Sequence, residues 1–190
     1  QRLFCRRDYR RRIDPMLKID GSCLEGGGQI VRSAVALSAV TGTPIEITGI
    51  RENRKKPGLG FQHCAAVRAV ACTCHAEVEG NDPGSRRLSF MPMCIRAAGC
   101  TVDVGTAGSI PLVIQAWLPV ALVKGGTLEV TGGTEVPASP TIDYLEKVLV
   151  PAIGMEEGVV TVTVRKRGYY PAGGGYVRLL VHPADIPRTD

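Results

Sequence analysis

The stretch GTPIEITGI at residues 42–50 returns as GGTLEVTGG at residues 125–133, an offset of 83. An internal repeat of that length constrains the fold strongly, because each copy must be a supersecondary unit that the other also forms. Both copies alternate apolar and polar residues as a half-buried strand does. Each follows an apolar run of helix length, Ile30 to Val40 and Ile110 to Leu122. Short strands precede those runs, LKID (17–20) and TVDV (101–104), and each opens into a Gly-rich turn. A second helix follows the repeated strand, Gln62 to Cys74 in the first copy and Ile142 to Ala152 in the second. Two strands then close each copy, AEVEG with RRLSF and VVTVTV with YVRLLV.

The pattern predicts β-α-β-α-β-β twice, over residues 17–92 and 100–183, between a basic N-terminal tail (1–16) and a C-terminal tail (184–190). Each unit reads as a mixed four-stranded sheet with two helices on one face, an α+β sandwich layer that leaves one side open. Two copies should therefore pack on each other. MPMCIRAAGC (91–100) has no clean periodicity and predicts a loop. Pro137 and Pro140 mark another, with Ser139 or Thr141 as a helix cap.

Apolar residues make up 44% of the chain and aromatics 5%, so the core should be built from Val, Ile, Leu and Ala. Gln115 and two prolines interrupt the longest apolar stretch, Ile110 to Val123, which is too short and broken for a membrane span. The net charge of +5 is local: residues 1–12 hold six arginines and one aspartate, and the remainder is neutral. The body is thus no general nucleic-acid binder. The Arg-rich head is either a phosphate contact or a solvated tail. Seven cysteines with no visible secretory signal predict free thiols in a reducing cytoplasm. CTCH (72–75) fits no familiar zinc spacing, and ordinary packing cysteines are expected.

Four stretches can carry chemistry. In EGGGQIVR (25–32) the glycines expose backbone N–H groups at a helix start, a phosphate-binding arrangement. Glu25 suits a divalent cation escorting the phosphate, and Arg32 lies on the same helical face; a tight turn with a capping acid is the alternative. IRENRKKPGLGFQH (50–63) places Arg51, Arg54, Lys55 and Lys56 in a loop between strand and helix, either a phosphate site or a solvated charge run. Gln62 and His63 open the next helix, where a neutral imidazole suits a hydrogen bond, a cap or a nucleophile. In VGTAGSIP (104–111), Thr106 and Ser109 are caps or phosphate donors. Gln115 in its apolar helix either satisfies backbone or faces a site. RGYYPAGGGYVRL (167–179) predicts a rigid turn whose Tyr169 or Tyr170 either stacks a base or edges the core.

These segments, in this order over residues 18–183, resemble the RNA 3′-terminal phosphate cyclase family. The resemblance implies a cytoplasmic enzyme, with no membrane attachment, that uses ATP and a divalent metal (Mg or Mn) on RNA 3′ ends. A 3′-phosphate becomes a 2′,3′-cyclic phosphate through adenylylated intermediates. It places Glu25 near the metal and Gln115 on the nucleotide. Arg32, Arg51 and Arg54 line the phosphate site, with Gln62 and His63 beside them. The family's nucleophilic histidine lies in a C-terminal part that nothing here matches. The catalytic residue is therefore unknown, with His63 a weak candidate. The expectation is that this chain alone is inactive and requires a missing C-terminal portion or self-association. The alternative is a non-catalytic, cyclase-like binding or scaffold factor in ribosome assembly.

Overall fold

The computed structural model describes residues 16–184; the N-terminal arginines and the last residues of the expected C-terminal tail lie outside it. The first unit runs β1 (Leu17–Asp20), α1 (Gly28–Thr41), β2 (Ile45–Thr48), α2 (Phe61–Cys74), β3 (Glu77–Glu79) and β4 (Leu88–Met91). The second begins with β5 (Ala98–Asp103), α3 (Ile110–Lys124) and β6 (Gly126–Gly132). It continues through α4 (Ile142–Tyr144), a π-helical segment (Leu145–Leu149), α5 (Val150–Ala152), β7 (Val160–Lys166) and β8 (Gly175–Val181).

The strands form two mixed four-stranded sheets with matching orders, β1-β2-β4-β3 and β5-β6-β8-β7, an α+β architecture. Only β1/β2 and β5/β6 are parallel, since each of those pairs is joined through a helix. Local details recur at the sequence offset. Leu17 pairs with Ile45 and Cys100 with Leu128. The Gly21 N–H donates to the Thr48 carbonyl at 2.7 Å, and the Val104 N–H to the Thr131 carbonyl at 2.9 Å. Helices α1 and α3 each end on a glycine with positive φ, Gly42 at 73° and Gly125 at 76°. A side chain there would crowd the following carbonyl.

Helices α1, α2 and α3 pack against one another, and α2 also reaches β5. Ala65, Ala66 and Ala69 keep α2 slim enough for that approach, and all three are fully buried. Trp117 of α3 fills the space beside them and donates its indole N–H to Thr73 Oγ1 at 2.8 Å, which satisfies its polar edge. One hydrophobic cluster joins the two units. Among the described residues no helix is long and apolar enough to cross a membrane.

The structure departs from the sequence expectations in three places. β5 starts at Ala98, inside the expected loop, because the backbone ladder to β6 needs no alternation of side chains. The helix expected over 142–152 is broken by the π segment. The Val150 N–H bonds to the Leu145 carbonyl five residues back, and Pro151 next to it has no N–H to restore α register. Free thiols were expected throughout, yet Cys72 and Cys100 form a disulfide from α2 to β5, while Cys23, Cys64, Cys74 and Cys94 are free. Packing brings the two backbones to a Cα separation of 6.3 Å, within bridging range.

Candidate phosphate and nucleotide site

The turn after β1 is set by Asp20, whose Oδ1 accepts the Ser22 N–H at 2.9 Å and the Ser22 hydroxyl at 2.6 Å. Leu24 and Gly26 then adopt positive φ, 55° and 57°. Asn53 from the loop after β2 donates its amide to the Ser22 and Leu24 carbonyls at 2.9 and 3.1 Å. The glycine turn and the basic loop are thus one assembly. Glu25 is exposed and pairs with Arg54 at 2.9 Å. Gly27 at the start of α1 has no side chain to cap the helix, and the Ile30 N–H turns back to the Gly27 carbonyl at 3.2 Å, so the Gly28 and Gln29 N–H groups are the ones placed to meet an anion.

His63 sits beneath this turn. Its Nδ1 accepts the Gly60 N–H at 2.9 Å, so in the neutral ring Nε2 carries the hydrogen. A Cβ added to Gly28 would lie 1.9 Å from Nε2, so only glycine permits this contact. Burial, then the charges of Arg51 and Arg32, lower its pKa from the ordinary 6.5 to about 4. Arg32 reaches the site from α1, buried and held by Gln29 Oε1 at 2.9 Å. Burial lowers its pKa too. Arg51, at φ 55°, donates to the Gly58 carbonyl at 2.8 Å. Burial and then neighbouring Arg54 lower its pKa. Lys55 and Lys56 are exposed beyond them.

The structure therefore gathers Glu25, Arg32, Arg51, Arg54 and His63 around one glycine turn. Gln62 points the other way along the crevice, its Oε1 accepting the Ser109 N–H at 3.0 Å. It lines a neighbouring cleft of roughly 430 Å³ with Gly108, Leu112, the 136–139 segment and Tyr170. Ser109 is a helix cap, accepting the Leu112 N–H at 3.3 Å, and Thr141 rather than Ser139 caps α4. Gln115 is half-buried on α3 and is not among the residues lining that cleft.

Sequence reasoning missed Asn53 and the Arg167 network described below. Neither had a local signal, because the partners lie 24 to 32 residues away in sequence and meet only in the folded chain.

Three guanidinium groups, one carboxylate and an uncapped helix start make this an α+β crevice suited to anions. The sequence model of RNA 3′-terminal phosphate cyclase matches residues 23–189, and the chain belongs to that family. It is 46% identical over 173 residues to the protein of that name from Methanococcoides burtonii, covering 90% of this chain and 52% of the relative. Identity is 47% to those from Archaeoglobus fulgidus and Pyrococcus furiosus, covering 90% and 88% of this chain and 53% and 50% of the relatives. The chain spans about half the length of these curated relatives.

Proposed function

We propose that this chain is the nucleotide- and phosphate-handling portion of an ATP-dependent RNA 3′-terminal phosphate cyclase. The observation that carries the reading is the convergence of Arg32, Arg51 and Arg54 on the glycine turn. Arg51 and Arg54 take the phosphate chain of ATP, and buried Arg32 holds positive charge behind it. The α1 N–H groups supply neutral donors. Glu25 fits a divalent ion such as magnesium or manganese. Its carboxylate is an exposed hard donor, and one carboxylate with phosphate oxygens and water is the set such an ion takes. When bound, the ion neutralises phosphate charge. The adjoining cleft takes the base: its walls are mostly apolar, Gln62 offers an amide, and the Tyr170 ring is 70% exposed for stacking.

In the proposed reaction a nucleophile attacks the α-phosphorus of ATP and pyrophosphate leaves; AMP passes to the RNA 3′-phosphate, and the 2′-hydroxyl displaces it. His63 does not serve as that nucleophile. Its Nδ1 lone pair is engaged by Gly60 and its Nε2 carries the hydrogen, so it holds the Arg51 loop against α1 instead. RNA 3′ ends are the proposed partner of the same crevice.

Calorimetric titration of the chain with ATP and magnesium tests the reading. Arg51→Ala and Arg54→Ala should each weaken binding at least tenfold, as expected for losing a charge-assisted phosphate contact. Unchanged affinity in both variants would remove the proposed phosphate site.

A further inference from the structure

The cleft beside Gln62 has two walls from different parts of the chain: the 136–139 segment after β6, and Tyr170 between β7 and β8. One side chain connects them. Arg167 donates two parallel bonds to Asp143, Nη1 to Oδ2 and Nη2 to Oδ1, both at 2.9 Å. Its Nη1 also bonds to Glu135. Glu135 directly precedes the 136–139 segment and Asp143 follows it, so a single guanidinium grips both ends of that wall. Arg167 itself stands three residues before Tyr170 of the other wall.

The wall it grips is strained. Ala138 lies at φ 59°, in the left-handed region that a β-carbon disfavours. Such a residue persists only where the surroundings fix it. Backbone contacts fix the base of the wall. The Thr134 N–H donates to the Gly168 carbonyl at 2.8 Å, and the Gly168 N–H to Thr134 Oγ1 at 2.9 Å. A Cβ on Gly168 would lie 2.2 Å from the Gly175 nitrogen, and one on Gly173 2.8 Å from Ala107 Cα. These contacts lock the turns on either side but stop short of residues 136–139. Within the span the Ser139 hydroxyl donates to the Val136 carbonyl at 3.2 Å, and the Ile142 N–H joins the flanks by donating to the Thr134 carbonyl at 3.0 Å; the Arg167 fork adds the ionic link that ties Glu135 to Asp143.

We propose that Arg167 is a positioning residue: by clamping Glu135 and Asp143 it holds Ala138 and its neighbours in the shape that accepts a nucleoside base. It touches no ligand. The inference rests on the reading of this cleft as the base site, and it deepens that reading by naming what determines base recognition.

Because the arginine-lined turn is built from other segments, the two binding contributions separate. The probes are ATP with magnesium and inorganic tripolyphosphate with magnesium, titrated calorimetrically into the full chain. Arg167→Ala should weaken ATP binding roughly tenfold, the order expected for a lost charge-assisted clamp on a strained loop, and leave tripolyphosphate binding unchanged. Arg167→Lys keeps the charge but not the planar fork and should fall between. Adding Ala138→Gly to Arg167→Ala relieves the strain and should recover part of the ATP affinity. Asp143→Asn should give the same selective loss at smaller size, and decides the matter if Arg167→Ala does not fold. Equal weakening toward both probes, or no weakening toward ATP, overturns the proposal while leaving the cleft as a base site. Wild-type protein that binds ATP no better than tripolyphosphate overturns the base-site reading and this inference with it.

Discussion

When the protein is taken from pH 7 to pH 5, the response of His63 follows from its surroundings. The ring is 6% exposed, its Nδ1 is engaged by Gly60, and the charges facing it are Arg51 of the basic loop and Arg32 of α1. Burial first and those cations second hold its pKa at about 4 against the ordinary 6.5. With the folded value below the unfolded one, the unfolded chain takes up the proton first as pH falls. Stability is therefore whole above the unfolded value and drains away down to the folded value. The full shift corresponds to about 3 kcal/mol, of which about 2 kcal/mol is lost between pH 7 and pH 5. Other groups titrate in that window, so the assay is a difference between thermal melts of wild type and His63→Gln. Glutamine can still accept the Gly60 N–H but does not titrate. At 2–4 °C per kcal/mol for a chain of this size, wild type should lose roughly 4–8 °C more than the variant. Equal losses would mean that His63 is hydrated in solution, and the argument from burial would fail.

Gly28→Ala should cost about 1–3 kcal/mol in urea unfolding, because the new methyl meets the buried His63 ring; in a His63→Ala background most of that cost should vanish. Glu25→Gln should leave the melting temperature nearly unchanged, since its pair with Arg54 is exposed and worth at most about 1 kcal/mol. It should nonetheless reduce the magnesium dependence of ATP binding measured by calorimetry. Reduction of Cys72–Cys100 breaks a crosslink spanning 28 residues and should lower stability by about 3–4 kcal/mol, read as a drop in melting temperature with dithiothreitol that Cys100→Ser does not show.

What could be read from sequence was what local patterns encode. The strands IEIT and LEVT and the helices before them are legible because burial on one face imposes a period. The start of β5 was not, since the sequence Ala98, Gly99, Cys100 shows no apolar–polar alternation although it runs in register with β6. The π segment arises from Pro151, whose effect depends on how the preceding turns hydrogen-bond. At the site, the glycine turn and the basic loop were legible because each is a short connection between firm elements. That His63 starts a helix is legible in sequence, but its place beneath Gly28 depends on how α1 and α2 pack. The Arg167 clamp and the Cys72–Cys100 bridge are long-range in the same sense. Their partners meet only once β6, β8 and β7 are aligned in one sheet, or α2 lies against β5.

On the proposed function, this chain would hold ATP through its glycine turn and arginines without forming a covalent adduct of its own. The direct test is incubation with ATP labelled at the α-phosphate, in the presence of magnesium, followed by filter retention before and after denaturation. Label should be retained by the native protein, weakened by Arg51→Ala, and released completely on denaturation. A label that stays on the denatured chain and disappears with His63→Ala would contradict this expectation and make His63 the nucleophile.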